Sequence, residues 1–206
     1  MIATSPLVVL LHGLGRTPAS MWLLARRLSR AGYQVIRLGY RSTRQQLSAS
    51  IAELRGQLAD LPSGPIHLVG HSLGGLIAVH LLRDPQGLDI KRVVQIGSPN
   101  LGSPLAERLG GVWPIRRICG PVLSELSRVT ARKTPSPQIG AIAGTMGLPW
   151  IGLAKPHDGA VTLRSAWSGA GYRAAVSNLH TVLPISPGVA RLTIRFLTQG
   201  DFGGKR

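Results

Sequence analysis

Cysteine is nearly absent: Cys119 is the only one in 206 residues. An intramolecular disulfide is therefore excluded, and so is a metal site built from several thiolates. No glycine-framed turn presents Cys119, so it reads as a small apolar residue and not as a nucleophile. Aromatic residues make up only 4% of the chain, leaving few platforms on which single-stranded nucleic acid could stack. No stretch approaches the ~20 consecutive apolar residues of a transmembrane helix. The opening MIATSPLVVLLHGLG has no basic segment ahead of its short apolar run, so no secretory signal is visible. The cytosol is then the default compartment, with export of a trimmed precursor as the alternative.

Carboxylates are scarce as well. Eight Asp and Glu stand against 24 Lys and Arg, a formal charge of +16. Such a balance suits contact with anionic surfaces. The basic residues fall in short, scattered groups: Arg26, Arg27 and Arg30; Arg41 and Arg44; Arg116 and Arg117; Arg128, Arg132 and Lys133. No aromatics interleave them, which disfavours nucleic acid. A solvated basic exterior is the plainest reading, and peripheral contact with an anionic membrane surface is the partner reading that goes beyond it.

What the chain has in quantity is apolar sequence, 44% of its residues, in alternating strand-like and helix-like runs. Strands are expected at 7–11, 34–40, 66–70, 91–97, 138–144 and 172–177. Thr17 and Pro18 open a helix with Met21, Leu24, Ala25 and Leu28 on one face, closed by Gly32. A second helix runs from about residue 43, with Leu47, Ile51, Leu54 and Leu58 in one stripe. A third follows the 66–70 strand and stops at Asp84 and Pro85. Ser186 and Pro187 open the last, with Val189, Leu192 and Phe196 along one face. Strands alternating with helices predict one α/β domain over 1–206: a three-layer arrangement of about six mostly parallel strands with helices on both faces. The segment 101–135, which contains GVWPIRRICGPVL, breaks the rhythm. It reads as a lid or substrate-binding insertion, or equally as a plain surface excursion.

Gly70-His71-Ser72-Leu73-Gly74 sits between an expected strand and an expected helix. Gly-x-Ser-x-Gly in that setting is the pattern of a strained turn that lifts a serine hydroxyl above a sheet edge. The competing reading is an ordinary glycine-rich turn. A phosphate-binding version is disfavoured, because Gly-x-Gly-x-x-Gly is missing and no lysine completes a Walker-type loop. Ser72 as nucleophile needs a base. Of six histidines, His12 precedes the first turn, His67 lies in a strand, His71 is inside the motif and His80 is on the next helix. His157 adjoins Asp158, a poor geometry for pairing. His180 remains, in the loop after the last strand, where it can reach back over the sheet edge. The orienting acid is Asp158, the only carboxylate between residues 126 and 200. A plain turn residue before Gly159 is its alternative role, and Glu125 is the fallback acid. The oxyanion is expected to meet the N–H groups of Leu73 and Leu14, with His12 shaping the loop that carries Leu14.

LLHGLG, VGHSLGG, IGSPNLGSPLA, HDGAV and the late His180 together resemble the α/β-hydrolase superfamily. Within it they are similar to the bacterial lipase and esterase branch that includes triacylglycerol lipases. The likeness spans nearly the whole chain, and the order Ser72, Asp158, His180 fits it. It implies hydrolysis of carboxylic esters with no organic cofactor. The chain starts directly at the strand before the His-Gly loop, so the family's leading strands are not expected. The calcium-site residues of secreted members find no match, so no metal is expected. Lipid-like acyl esters are the expected substrates. Two other functions stay open: a thioesterase or acyltransferase with the same three residues, and a non-catalytic scaffold that binds anionic lipid or nucleic acid.

Overall fold

The structure is a computed structural model that describes residues 7–43, 45–102, 136–147 and 156–203. Its frame is a six-stranded sheet: β1 (Leu7–Leu11), β2 (Gln34–Leu38), β3 (Ile66–His71), β4 (Ile90–Ile96), β5 (Ser136–Gly144) and β6 (Ala170–Val176). The strands lie in the order β2-β1-β3-β4-β5-β6. Every neighbouring pair is parallel. This is the architecture the alternation of runs predicts. β3 is buried along its whole length, as a central strand covered on both faces must be, whereas β2 at the edge is half-exposed.

Side chains alternate between two cores. Val9, Leu11, Leu68, Val93 and Ala141 face one helical layer, formed by α2 (Leu47–Ala59) and α3 (Leu73–Arg83). Val8, Leu10, Val69, Val94 and Ile142 face the other, which holds α1 (Trp22–Arg30) and α5 (Pro187–Gln199). Between them in sequence comes a short helix, α4 (Leu163–Trp167), opened by the Thr162 hydroxyl accepting the Ser165 N–H. In α5 Ser186 is the N-cap, Pro187 the first residue, and Gly200 ends the helix at φ +86°. All three roles follow from the sequence.

Several boundaries move. The helix expected from Thr17 begins instead as a 3-10 turn over Pro18–Met21, and the Thr17 side chain makes no cap bond. α2 starts at Leu47, later than position 43, because the residues before it are held by the first loop. Ser42 Oγ accepts the Gly15 N–H at 3.1 Å, and Tyr40 turns inward to stack on His12 with ring centroids 4.4 Å apart. That inward turn also ends β2 at Leu38 instead of Tyr40. β5 and β6 each begin two residues early, and their register shifts between Ser136 and Gly140. Most of the expected lid segment, residues 103–135, lies outside the described residues, together with Cys119 and Glu125.

Strand order reverses between β1 and β3: β1 leads to β2 on one side, while the chain after β3 proceeds to the other. In an open parallel sheet, the carboxyl ends of such a strand pair flank a crevice. The His-Gly loop leaves β1 there, and Ser72 leaves β3 there.

Candidate active site

Ser72 stands between β3 and α3 with φ 52° and ψ −117°. Among the described residues only Gln86 joins it as a non-glycine at positive φ. Such a conformation costs on the order of 1–3 kcal/mol and persists only where the surroundings impose it. Here they do. The Ser72 N–H donates to the Ile96 carbonyl at 2.9 Å, tying the turn to β4. A Cβ on Gly70 would overlap the backbone of Gly74 and Gly75, and one on Gly75 would overlap the Ser98 hydroxyl. The glycines of the motif are thus required by close approach of strand, turn and helix. Leu73 is the first residue of α3, so its N–H has no partner within the helix and points toward the positive end of the helix dipole.

Asp158 is buried to 1% exposure. Its Oδ1 accepts the N–H groups of Ala160 at 3.0 Å and Val161 at 2.7 Å. Its Oδ2 lies 2.8 Å from His180 Nδ1, and its carbonyl accepts the His180 N–H at 2.8 Å. A carboxylate only accepts, so Nδ1 carries the proton and Nε2 presents its lone pair. The pair rests on the carboxyl end of β4. A Cβ on Gly97, at φ +61°, would stand 3.2 Å from both Asp158 Oδ2 and His180 Nδ1. His180 itself opens a 3-10 helix, His180–Ile185, where a loop was expected.

His71 links the two halves of the site. It is buried, and its Nε2–H donates to the His180 carbonyl at 3.1 Å. The two imidazoles tilt against each other with centroids 4.8 Å apart. Burial first, then the neighbouring His180, holds the His71 pKa well below the ordinary imidazole value. It is therefore a neutral donor. Nothing in the motif announces this contact, because it depends on where a loop 109 positions away in the chain lands.

The loop after β1 completes the surroundings. The His12 Nδ1–H donates to the Gly13 carbonyl at 2.9 Å, and its own carbonyl accepts the Tyr40 hydroxyl at 2.6 Å. His12 is thus built into the loop. A Cβ on Gly13 would stand 3.3 Å from Ser72 Cβ and 2.9 Å from His71 Nδ1, so this loop is pressed directly against the serine. The bonds that shape it are donated by the N–H groups of Gly15 and Arg16. Leu14 lies between Gly13 and Gly15, half-buried, and its N–H takes no part in them. Ser72, Leu73, the Leu14 loop, Asp158 and His180 therefore meet at one sheet edge. His157 stays apart from the pair, its Nδ1 accepting the Gly159 N–H at 3.1 Å. Among the described residues no cluster of three or more His, Cys, Asp or Glu side chains could hold a metal.

A family model described as the alpha/beta hydrolase family matches residues 8–197. The chain belongs to this family. No curated protein matches its sequence. Solved structures similar to this alpha/beta hydrolase include the mature form of the Bacillus licheniformis lipase BlEst2, 18% identical over 96% of this chain and 93% of that one, with a TM-score of 0.73. A structure of the metagenome-derived lipolytic enzymes LipS and LipT is 16% identical over 96% and 94% of the two chains, with a TM-score of 0.66. The enol-lactonase of Burkholderia xenovorans LB400 is 18% identical over 95% and 92%, with a TM-score of 0.64. At such identities the likeness is one of fold. It agrees with the six-stranded parallel sheet and its two helical layers.

Proposed function

We propose that this alpha/beta hydrolase cleaves carboxylic esters through an acyl-enzyme, with Ser72 as nucleophile, His180 as base and Asp158 as the group that orients it. The observation that carries the proposal is the buried Asp158–His180 pair at 2.8 Å, set at the same sheet edge as a serine held in a strained turn. Ser72 Oγ attacks the ester carbonyl while His180 Nε2 takes its proton. The tetrahedral oxyanion is held by the N–H groups of Leu73 and Leu14, and Asp158 stabilises the imidazolium. His180 then protonates the leaving alcohol and the acyl-serine forms. Water, deprotonated by His180, attacks that acyl group; the acyl–Oγ bond breaks, His180 returns the proton to Ser72 Oγ, and the acid is released.

Lipid-like acyl esters are the substrates we propose. Two of the similar structures belong to proteins described as a lipase and as lipolytic enzymes. Hydrolysis of p-nitrophenyl esters of increasing chain length, together with labelling by a fluorophosphonate, tests both levels. Ser72→Ala should abolish labelling and lower turnover by about four to six orders of magnitude. Unchanged turnover in that variant defeats the serine mechanism. A preference for short esters, or for thioesters, would leave the serine in place and reject the lipid substrate.

A further inference from the structure

We infer that the outer face of α1 and α5 is a docking surface for an anionic phospholipid bilayer. This inference stands independently of the ester chemistry. The two helices cover the same side of the sheet and share one core. Their flanks are joined by Arg27 donating to the Ile185 carbonyl at 2.6 Å and by the Tyr33 and Thr198 hydroxyls at 2.9 Å. Arg26 and Arg30 are exposed on α1, and Arg191 and Arg195 on α5. Each pair has i,i+4 spacing, which puts the two Cβ atoms about 5–6 Å apart on one helix face. Like charges at that spacing repel and weaken a helix by roughly 0.2–0.5 kcal/mol per pair. Two such pairs stand side by side, and of the four arginines only Arg195 is bonded to a carboxylate among the described residues.

Among the described residues, every carboxylate but one lies away from this face. The first 50 residues contain no Asp or Glu. Glu53, Asp60 and Asp84 lie on or at the ends of α2 and α3, in the opposite layer. Asp89 precedes β4, where it pairs with Lys91. Asp201, bonded to Arg195, is the one acid beside this face among the described residues. Arg26, Arg30 and Arg191 have no carboxylate partner among them.

Phospholipid fits better than nucleic acid because the face ends in exposed apolar side chains. Trp22, the first residue of α1, is 49% exposed and Ile185 is 44% exposed. The Arg26 guanidinium lies 5.6 Å over the Trp22 ring. An indole flanked by arginines suits the headgroup level of a bilayer, where the ring meets the acyl boundary and the cations meet phosphate. A phosphodiester backbone offers Ile185 nothing apolar to bury against. The face also ends at the sheet edge that carries Ser72, so a docked molecule keeps that edge close to the lipid.

Co-sedimentation with vesicles of phosphatidylcholine alone and of phosphatidylcholine with 30% phosphatidylglycerol, at low and high salt, tests this. Binding is expected only to the anionic vesicles, and it should fall with salt. Each arginine at an anionic surface strengthens binding roughly five-fold. The variant R26Q/R30Q/R191Q/R195Q should therefore bind on the order of several hundred-fold more weakly. The control R41Q/R83Q/R164Q/R173Q removes the same charge from exposed positions elsewhere and should lose much less. W22A should weaken binding while keeping the salt dependence. Hydrolysis of a soluble ester by the first variant should match the wild type, which separates a failure of docking from a failure of the proposed chemistry. Equal losses in both quadruple variants would overturn the inference, as would equal binding to neutral vesicles. Binding to duplex DNA without binding to anionic vesicles would overturn it too.

Discussion

His71 occupies a position where the motif asks only for any residue, yet its ring spans the site. Its Nε2–H holds the main chain of His180, so the imidazole that is to accept the serine proton is anchored through both its side chain and its backbone. In His71→Phe an aromatic ring, somewhat larger than imidazole, is kept and the donor is lost. We expect turnover to fall roughly ten- to a hundred-fold, as displacement of a reacting group by about 1 Å would produce, with KM little changed. His71→Gln restores an N–H donor at similar reach and should recover most of the loss. If the two variants are equally impaired, the bond has no positioning role. The turn that holds Ser72 was legible in the glycine spacing, and Asp158 and His180 could be picked out by elimination, with Glu125 left as a fallback acid. The contacts of His71 and Gly97 were not legible, since each is defined by a partner far away in the chain.

Among the elements, β4 organises the site. Its Ile96 carbonyl anchors Ser72, the next residue Gly97 underlies the Asp158–His180 pair, and its Gln95 leads into a buried amide network. Gln95 Nε2 donates to the Gly75 carbonyl at 3.1 Å and to Asn100 Oδ1 at 2.8 Å. Asn100 Nδ2 returns a bond to Gln95 Oε1 at 3.0 Å and gives another to the Ala166 carbonyl at 3.0 Å. The network thus ties the helix behind the serine to α4, just past the loop that carries Asp158. Asn100→Ala strands the Gln95 side chain and the Ala166 carbonyl in the interior. Each unsatisfied group costs about 1–3 kcal/mol, so the two together predict a loss of about 2–6 kcal/mol, read as a lower denaturant midpoint at unchanged m-value. A shift below about 0.5 kcal/mol would mean that water replaces the lost bonds. Strands and long helices could be read from periodicity because each buries a continuous stripe. α4 could not: five residues are too few to show a period, and a side-chain cap is what starts it.

For the molecule as a whole, acid should be more damaging than its basic composition alone requires. His67, the second residue of β3, is 8% exposed. Burial, reinforced by the positive Arg92 beside it, lowers its pKa to about 4. In the unfolded chain the same imidazole titrates near 6.5. Between those values the unfolded state binds more protons than the folded one, so stability falls as pH drops from about 6.5 toward 4 and is unaffected by this group above that range. The full loss is on the order of 2–3 kcal/mol. The already positive chain, +16 at pH 7, adds self-repulsion as it gains further positive charge in acid. Salt separates the two effects. Added salt screens repulsion between surface charges but does little for a charge that must be placed beside β3's core. In chemical denaturation between pH 7 and 4, His67→Val should therefore reduce the part of the decline that survives in 0.5 M salt, the remainder coming from buried His71 and His12, whose pKa values burial also lowers. Parallel curves for wild type and variant at high salt would show that His67 contributes nothing to the acid transition.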